Sequence, residues 1–470
     1  MPDVRRNSLP KLLTWKPLYN ESELYKAALR VYTKPLFQWR KALFRSTDGK
    51  SLYDLAGHGL RNLHAVHRAL QRESFEFRPA TALHYNFNGK HRTLYVAPWE
   101  ERIVDLLLYR LLNQKLHAWF SPNSYAYRIR DFSLDICQSS IAAVLRTDAP
   151  LYIVKRDIAN YFASVNHELL LRKLAEMVEP DDYLFRLVQQ RIRFLYEEDG
   201  ETRQAERGIP FGTATACILA NLYLADMDEQ IERISGIRYF RYADDILLLA
   251  SEANAARQSA QVLESELASL ALQTKASHDV NILLSHNGTA DENFTAATSI
   301  RHLGLLFRAG GGVALSRDKL HKVQNLFRFA FRRGRRRWRK ADDPSKSAQT
   351  LVNIARETVD NGVRNVAIVD YYLKHVNDEE QLRQLDRWLA EEILSLIFGG
   401  HKKSHFRRIG FAQLRAMGLP SLVHRRRLIL RGYIESPFFK WQQEKTVKAF
   451  RATAARKQHN NLRKNMASSS

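Results

Sequence analysis

Apolar positions recur at helical spacing near the start of the chain. Leu24, Ala27, Ala28 and Val31 make one stripe and Leu60, Leu63, Val66 and Leu70 a second, so residues 21 to 80 are expected to be helical. The period then changes. His84-Tyr-Asn-Phe87 and Thr93-Leu-Tyr-Val-Ala97 flank the polar turn Asn88-Gly-Lys90, which predicts a β-hairpin. Pro98 closes it, and helical periodicity resumes from Glu100 to Leu116. Leu151-Tyr-Ile-Val154 reads as a short buried strand that ends at Asp157. Beyond Gly212 the spacing predicts a helix to about Ile231, then a hairpin with strands Ile237 to Phe240 and Ile246 to Leu249. Another helix follows over Asn254 to Leu270, and His302 to Phe307 reads as one more strand. Past Gly312 the pattern is helical and basic, with no strand expected. Phe411 to Arg431 reads as a core-forming helical pair, and Met466 to Ser470 as a loose tail.

Charge adds a division that hydropathy does not show. The 470 residues carry 73 Lys and Arg against 50 Asp and Glu, a net of +23. Residues 311–470 hold 34 basic and 14 acidic side chains, whereas residues 151–300 hold 14 and 23. An acidic middle joined to a basic end suits a chain that gathers cations in one part and neutralises a polyanion with the other. Two cysteines, Cys137 and Cys217, are too few for a disulfide framework or a four-thiolate zinc site. No apolar run approaches the roughly 18 residues needed to span a bilayer. The N-terminus has no signal-type stretch either, so a cytoplasmic protein without a membrane partner is expected.

Tyr242-Ala-Asp-Asp245 places two adjacent carboxylates between apolar runs, and Asp157 brings a third acid to the end of another strand. Ionised carboxylates in such a setting must protonate, pair with bases or bind a cation. An Asp-Asp pair in a turn is otherwise a solvated loop tip, but the apolar flanks and Asp157 favour a metal cage. Hard oxygen ligands suit Mg²⁺, with Mn²⁺ as a substitute. Two ions about 3.5 to 4 Å apart would activate a 3′-hydroxyl and stabilise leaving pyrophosphate. Asp226 and Asp228 read as surface acids on a helix, and His278 and Asp279 have no metal-ligand spacing.

From about residue 20 to 310 the chain resembles the prokaryotic reverse transcriptases of group II introns, retrons and the defence-associated "unknown groups". Asp157-Ile-Ala-Asn-Tyr-Phe162 and Tyr242-Ala-Asp-Asp245 are similar to the family's two catalytic motifs. Gly208-Ile-Pro-Phe-Gly212, leading to Leu219-Ala-Asn-Leu-Tyr-Leu224, is similar to the nucleotide- and template-contacting motif between them. Arg92 to Pro98 with Glu101-Arg102, and Ser124 to Arg128, resemble the fingers motifs; Leu272 to Lys275 and His302-Leu-Gly304 resemble the lysine-containing and primer-grip motifs.

The resemblance implies that Asp157, Asp244 and Asp245, with the Ile158 backbone, hold the metal. It places Lys90, Arg92, Arg128 and Lys275 at the triphosphate and Phe162 as a steric filter against a 2′-hydroxyl. Phe211, Gly212 and Tyr242 complete the nucleotide pocket. Phe211 stands where the family has Gln, and Ala216-Cys217 where it has Ser-Pro. That departure favours a specialised, defence-associated polymerase over a mobile-intron enzyme.

Arg332 to Lys340 contains seven basic residues in nine, interleaved with aromatics. Arg332, Arg333, Arg335, Arg336, Arg337, Trp338, Arg339 and Lys340, with Arg425, Arg426 and Arg427, are expected to bind nucleic acid. The whole reads as an α+β right-hand polymerase. Its parts are a helical lead-in at 1–80, fingers and palm at 81–310, a basic thumb at 311–400 and a C-terminal helical extension at 401–470. The expected reaction is RNA-directed DNA synthesis from dNTPs, on an RNA template that could be a dedicated non-coding RNA, giving a DNA product. Homo-oligomerisation is left open. Template-independent or protein-primed synthesis and a catalytically idle RNA-binding scaffold are the rivals.

Overall fold

β-Branched and aromatic residues at alternating positions give the first hairpin: β1 (Ala80–Phe87) pairs antiparallel with β2 (Lys90–Val96). The computed structural model describes residues 13–33, 45–57, 59–87, 90–128, 132–288, 290–340, 343–360 and 366–434. Asn88 and Gly89 of the hairpin turn, the tail Met466 to Ser470 and the rest of the extension past residue 434 lie outside the described residues. After β3 (Leu151–Asp157) comes a hairpin that periodicity does not announce, β4 (Leu195–Glu198) with β5 (Glu201–Gln204). All four β5 residues are exposed, so no apolar alternation marks it. These strands complete a sheet of order β2-β1-β4-β5, with β1 and β4 parallel.

The second sheet holds the acids. β6 (Ile237–Tyr242) and β7 (Asp245–Ala250) form the predicted hairpin, and with β8 (Val280–Leu284) and β9 (Thr295–Ala297) the order is β6-β7-β3-β8-β9. Every β7 residue after Asp245 is buried, because the helix Ala253–Ser269 packs across β3, β6 and β7. That covering explains why the strand reads as a continuous apolar run rather than an alternating one.

The helix Trp99–Leu116 is buried on most of its surface, through Ile103, Val104, Leu107, Leu108, Leu111 and Leu112. It packs against Glu21–Thr33 and Thr215–Tyr223. Each such aliphatic side chain contributes about 1.5–3 kcal/mol on burial. The helix expected over Gly212 to Ile231 is two, Thr215–Tyr223 and Ala225–Glu232, broken at Leu224. Asp228 on the second is not a surface acid: it is fully buried against Arg241, while Asp226 pairs with Lys173.

The chain divides into two compact units, one of Met1–Cys137, Leu151–Leu283 and Asp291–Thr295, the other of Gln138–Pro150, Leu284–Ala290 and Ala296–Ser470. Within the second, the single strand expected at His302 to Phe307 is two, β10 (Ser299–His302) and β11 (Leu305–Arg308). Leu303 and Gly304 turn between them at φ +48° and +83°, the positive values that a two-residue hairpin loop requires. A third strand, β12 (Val313–Leu315), follows although none was expected there; three residues are too few to show a period.

The other described elements of the second unit are mostly helical, with Arg317–Arg333, Pro344–Asp360 and Glu379–Phe398 the longest. Leu414, Leu419 and Leu422 are buried, so Phe411–Ala416 and the start of Leu422–Leu430 are core-forming as expected, while Leu428 is half-buried and Leu430 exposed. Among the described residues no helix is long and apolar enough to cross a membrane.

Candidate active site

β3 and β7 run antiparallel in a register that sets Asp157 directly opposite Asp245. Opposed residues of paired strands point to one face, with Cβ atoms about 4.5–5.5 Å apart, so two carboxylates share that face. Tyr242 pairs with Asp245, which leaves Ala243 and Asp244 as a two-residue loop. Ala243 sits at φ +60°, a conformation that costs a non-glycine residue of order 1–3 kcal/mol unless its surroundings hold it. From β3, the Ile158 amide donates to the Asp244 carbonyl at 3.2 Å.

Past the end of β3, the Lys275 amide donates to the Asp157 carbonyl at 2.7 Å and the Ala159 amide to the Gln273 carbonyl at 2.8 Å. Those bonds flank Ile158 and do not use its carbonyl. The His278 ring meets the Asp157 carboxylate, Nδ1 to Oδ2, at 2.7 Å. Sequence spacing gave no hint of this contact, which arises because the turn after Lys275 folds back over the end of β3.

Burial above all, with Asp157 and Asp244 adding to it and Lys155 and His278 opposing it, raises the Asp245 carboxyl from 3.8 to about 6. Among the described residues, no group of three or more His, Cys, Asp or Glu side chains forms a cage able to hold a metal ion by itself. What is assembled is a set of three carboxylates, one of them with a raised pKa. That suits a divalent cation held by one or two carboxylates whose other positions go to phosphate oxygens and water.

Beside the acids lies a cleft of about 480 Å³, lined by Asp157, Asp244, Arg92, Phe162, Phe211 and Lys275 among others. Asp245, Tyr242 and Gly212 stand next to it rather than on its wall. Asn160, in the left-handed region at φ +47°, starts the short helix Tyr161–Ser164. Tyr161 and Phe162 diverge along this short helix. Tyr161 is buried with its hydroxyl donating to the Ala220 carbonyl, and Phe162 faces the cleft.

The Phe162 ring meets Phe211 edge to face at 5.6 Å, and the Arg92 guanidinium lies 5.4 Å from the Phe211 centroid. Phe211 therefore forms wall where a glutamine would have offered hydrogen bonds. Its loop is tied to the Phe162 segment by the Ile209 amide, which donates to the Phe162 carbonyl at 2.7 Å. Gly212 sits at φ +99°, a backbone conformation that strains any side-chain-bearing residue, and a Cβ there would also displace Leu94 Cδ1. Buried Asp105 accepts from the Ala214 amide, the Thr215 hydroxyl and Arg191 Nε, and so anchors the helix that leaves this loop. No sequence signal marked Asp105, since its partners lie far along the chain.

Arg128 does not face the cleft. Its guanidinium donates to the carbonyls of Ser121, Ser124 and His117 and stacks 3.4 Å from the Phe132 centroid, so it fastens a loop instead of meeting a triphosphate. Lys90 begins β2, and its side chain lies outside the described residues.

The basic candidates of the second unit separate in the same way. Arg332, Arg333, Arg335, Arg336, Arg339 and Lys340 are exposed. Arg337 is engaged by both oxygens of Glu357 at 3.0 Å. Trp338 is 7 % exposed, with its Nε1 donating to the Phe331 carbonyl, so it serves the core and not base stacking. Phe331 is also buried, and the exposed ring on this helix is Phe329. Arg425 is held by Asp370 and Asp360, Arg427 by Glu379, and Arg426 is half-buried, with its pKa lowered by burial. A run of arginines in sequence cannot show which of them acids on neighbouring helices will take up.

Residues 85–305 match the family model described as reverse transcriptase (RNA-dependent DNA polymerase). A protein of Schizosaccharomyces pombe described as an uncharacterized 91 kDa protein in cob intron is 23 % identical over 190 residues. That match covers 40 % of this chain and 23 % of the relative, so the chain spans about a quarter of that protein's length. Among solved structures, telomerase from Candida albicans in complex with a fragment of telomeric RNA is 12 % identical, with a TM-score of 0.43 over 77 % of this chain and 70 % of that one. Apo telomerase from Candida tropicalis, truncated from its C-terminal domain, is 12 % identical with a TM-score of 0.39 over 58 % and 63 % of the two chains. Residues 85–305, which carry the three acids, the Phe162 segment and the Tyr242 turn, are a reverse transcriptase domain.

Proposed function

We propose that the protein is an RNA-directed DNA polymerase that extends a primer 3′-hydroxyl with dNTPs. The observation that carries this reading is the register that sets Asp157 opposite Asp245, with Asp244 in the adjoining turn at the edge of the cleft. Asp157, Asp244 and Asp245, aided by the Ile158 carbonyl, would hold two Mg²⁺ ions. When bound, such ions lower the pKa of the attacking hydroxyl and neutralise charge on the leaving pyrophosphate.

The remaining roles belong to the chain's own side chains. Arg92 and Lys275 offer charge-assisted bonds to the phosphates on the cleft wall. Phe162 and Phe211 close the wall where a sugar would lie, and a ring there excludes a 2′-hydroxyl by bulk. The exposed arginines from Arg332 to Arg339 suit a phosphate backbone, with Phe329 available to stack on a base. In this reading the chain has the right-hand plan, with lead-in, fingers and palm, thumb and extension at the boundaries given above. It copies an RNA template into DNA in the cytoplasm. Its motif departures at Phe211 and Ala216-Cys217 support a specialised role in antiviral defence on a dedicated non-coding RNA.

The test is incorporation of dNTPs by purified protein on a primer annealed to RNA of known sequence, with Mg²⁺ or Mn²⁺. Product that follows the template is expected, with a loss of at least about a hundredfold in Asp244→Ala/Asp245→Ala. Full incorporation by that variant refutes the proposal. Product unrelated to the template would favour template-independent synthesis.

A further inference from the structure

Arg241 lies on β6 immediately before the catalytic turn and has no exposed side-chain surface. Its Nε donates to Asp228 Oδ1 at 2.7 Å and its Nη2 to Asp228 Oδ2, a fully buried two-pronged ion pair. The Tyr239 hydroxyl donates to the same carboxylate. Pairing with Asp228 satisfies the charge, yet the third nitrogen is also committed. Nη1 donates to the Ala243 carbonyl and to Asn221 Oδ1, both at 3.2 Å.

Asn221 in turn donates to the Ala126 carbonyl at 2.8 Å. The Arg241 backbone is pinned as well, its amide donating to the Asn123 carbonyl and its carbonyl accepting from Tyr125, both at 2.9 Å. One side chain thus joins the helices Thr215–Tyr223 and Ala225–Glu232 to the inside of the Tyr242–Asp245 turn. Ala243 is the residue at φ +60° there, and it is buried. A strained, buried turn reverts to an easier conformation unless its carbonyl is held, and Arg241 supplies the donor. The Ile158 amide holds the next carbonyl from the β3 side, so the turn is gripped from two directions.

We propose that Arg241, anchored by Asp228, is a positioning residue whose bond to the Ala243 carbonyl fixes Asp244 and Asp245 against Asp157. The inference rests on the polymerase reading for its catalytic consequence, but its structural part can be judged separately. A buried ion pair that serves stability alone is replaceable by apolar residues of similar size with little loss of stability. A positioning pair is not replaceable without loss of function, because no apolar side chain donates to Ala243.

The experiment compares wild type with Arg241→Met/Asp228→Leu in three measurements: melting temperature, single-turnover dNTP incorporation, and amide hydrogen exchange of residues 242–245. The double variant takes these partners from the buried Tyr239 hydroxyl and Asn221, so it is expected to fold with a lowered melting temperature. Its turnover should be slower by about a hundredfold, with a dNTP KM within about threefold, and its turn should exchange at least about tenfold faster. Wild-type rate and exchange in a folded double variant overturn the inference. If that variant does not fold, Arg241→Lys decides: lysine can reach Asp228 or the Ala243 carbonyl but not both, so the rate should fall at least about tenfold with faster exchange in the turn. Wild-type behaviour of Arg241→Lys then overturns it. Should wild type itself incorporate nothing, the polymerase reading fails, and hydrogen exchange still tests the hold on the turn.

Discussion

Asp245→Asn is expected to stabilise the metal-free protein at neutral pH while abolishing incorporation. Burial and the neighbouring Asp157 and Asp244 raise the Asp245 carboxyl from 3.8 to about 6 in the folded state. At 1.36 kcal/mol per pH unit, that rise is about 3 kcal/mol of unfavourable ionisation, and partial solvent access reduces it to roughly 1–2 kcal/mol. Between about pH 4 and pH 6 the folded protein keeps a proton that the unfolded chain has lost, so stability falls as pH rises through that window. Above it the penalty is present in full.

Asparagine cannot ionise, so the stability gap between Asp245→Asn and wild type should be near zero at pH 4 and greatest above about pH 6.5. Urea denaturation in EDTA at both ends of the range measures it. Excess Mg²⁺ should narrow the gap, because a cation bound only to the folded state stabilises wild type more than the variant. A gap that does not change with pH, or a variant less stable than wild type at pH 7.5, would refute the reasoning.

Arg128→Ala removes the donor to three carbonyls and a ring contact. It should cost about 2–4 kcal/mol of stability and leave the dNTP KM within about twofold; a steep rise in KM at unchanged melting temperature would return Arg128 to the triphosphate. Replacing Arg332, Arg333, Arg335 and Arg336 together with alanine should reduce the slope of log affinity against log salt for single-stranded RNA by about 3, whereas Trp338→Ala should lower melting temperature without changing that slope. An unchanged slope in the fourfold variant would remove this stretch from the binding surface.

Local pattern was enough for the hairpin that carries Asp244 and Asp245. Strand β7 is a continuous apolar run after Asp245 and β6 is rich in aromatic residues, with two acids at their junction, and that pattern reads as two strands joined by a turn. The two predicted helices on either side of this region, Glu100 to Leu116 and Asn254 to Leu270, also matched the structure within a residue or two, because their apolar periodicity is long and unbroken. Short elements escaped: β4, β5 and β12 have three or four residues each, too few to display a period.

What the order of residues could not disclose is which polar groups find partners. Asp228 looked like any helix acid until β6 set Arg241 against it, and Arg128, Arg425 and Trp338 looked available until loops and neighbouring helices used them. His278 looked idle until the turn after Lys275 laid it on Asp157. Hydrophobic spacing is a property of neighbours along the chain and can be read there. The pairing of charges depends on distances between different elements, whether 13 residues apart like Asp228 and Arg241 or 121 like Asp157 and His278, and those distances exist only once the chain has folded.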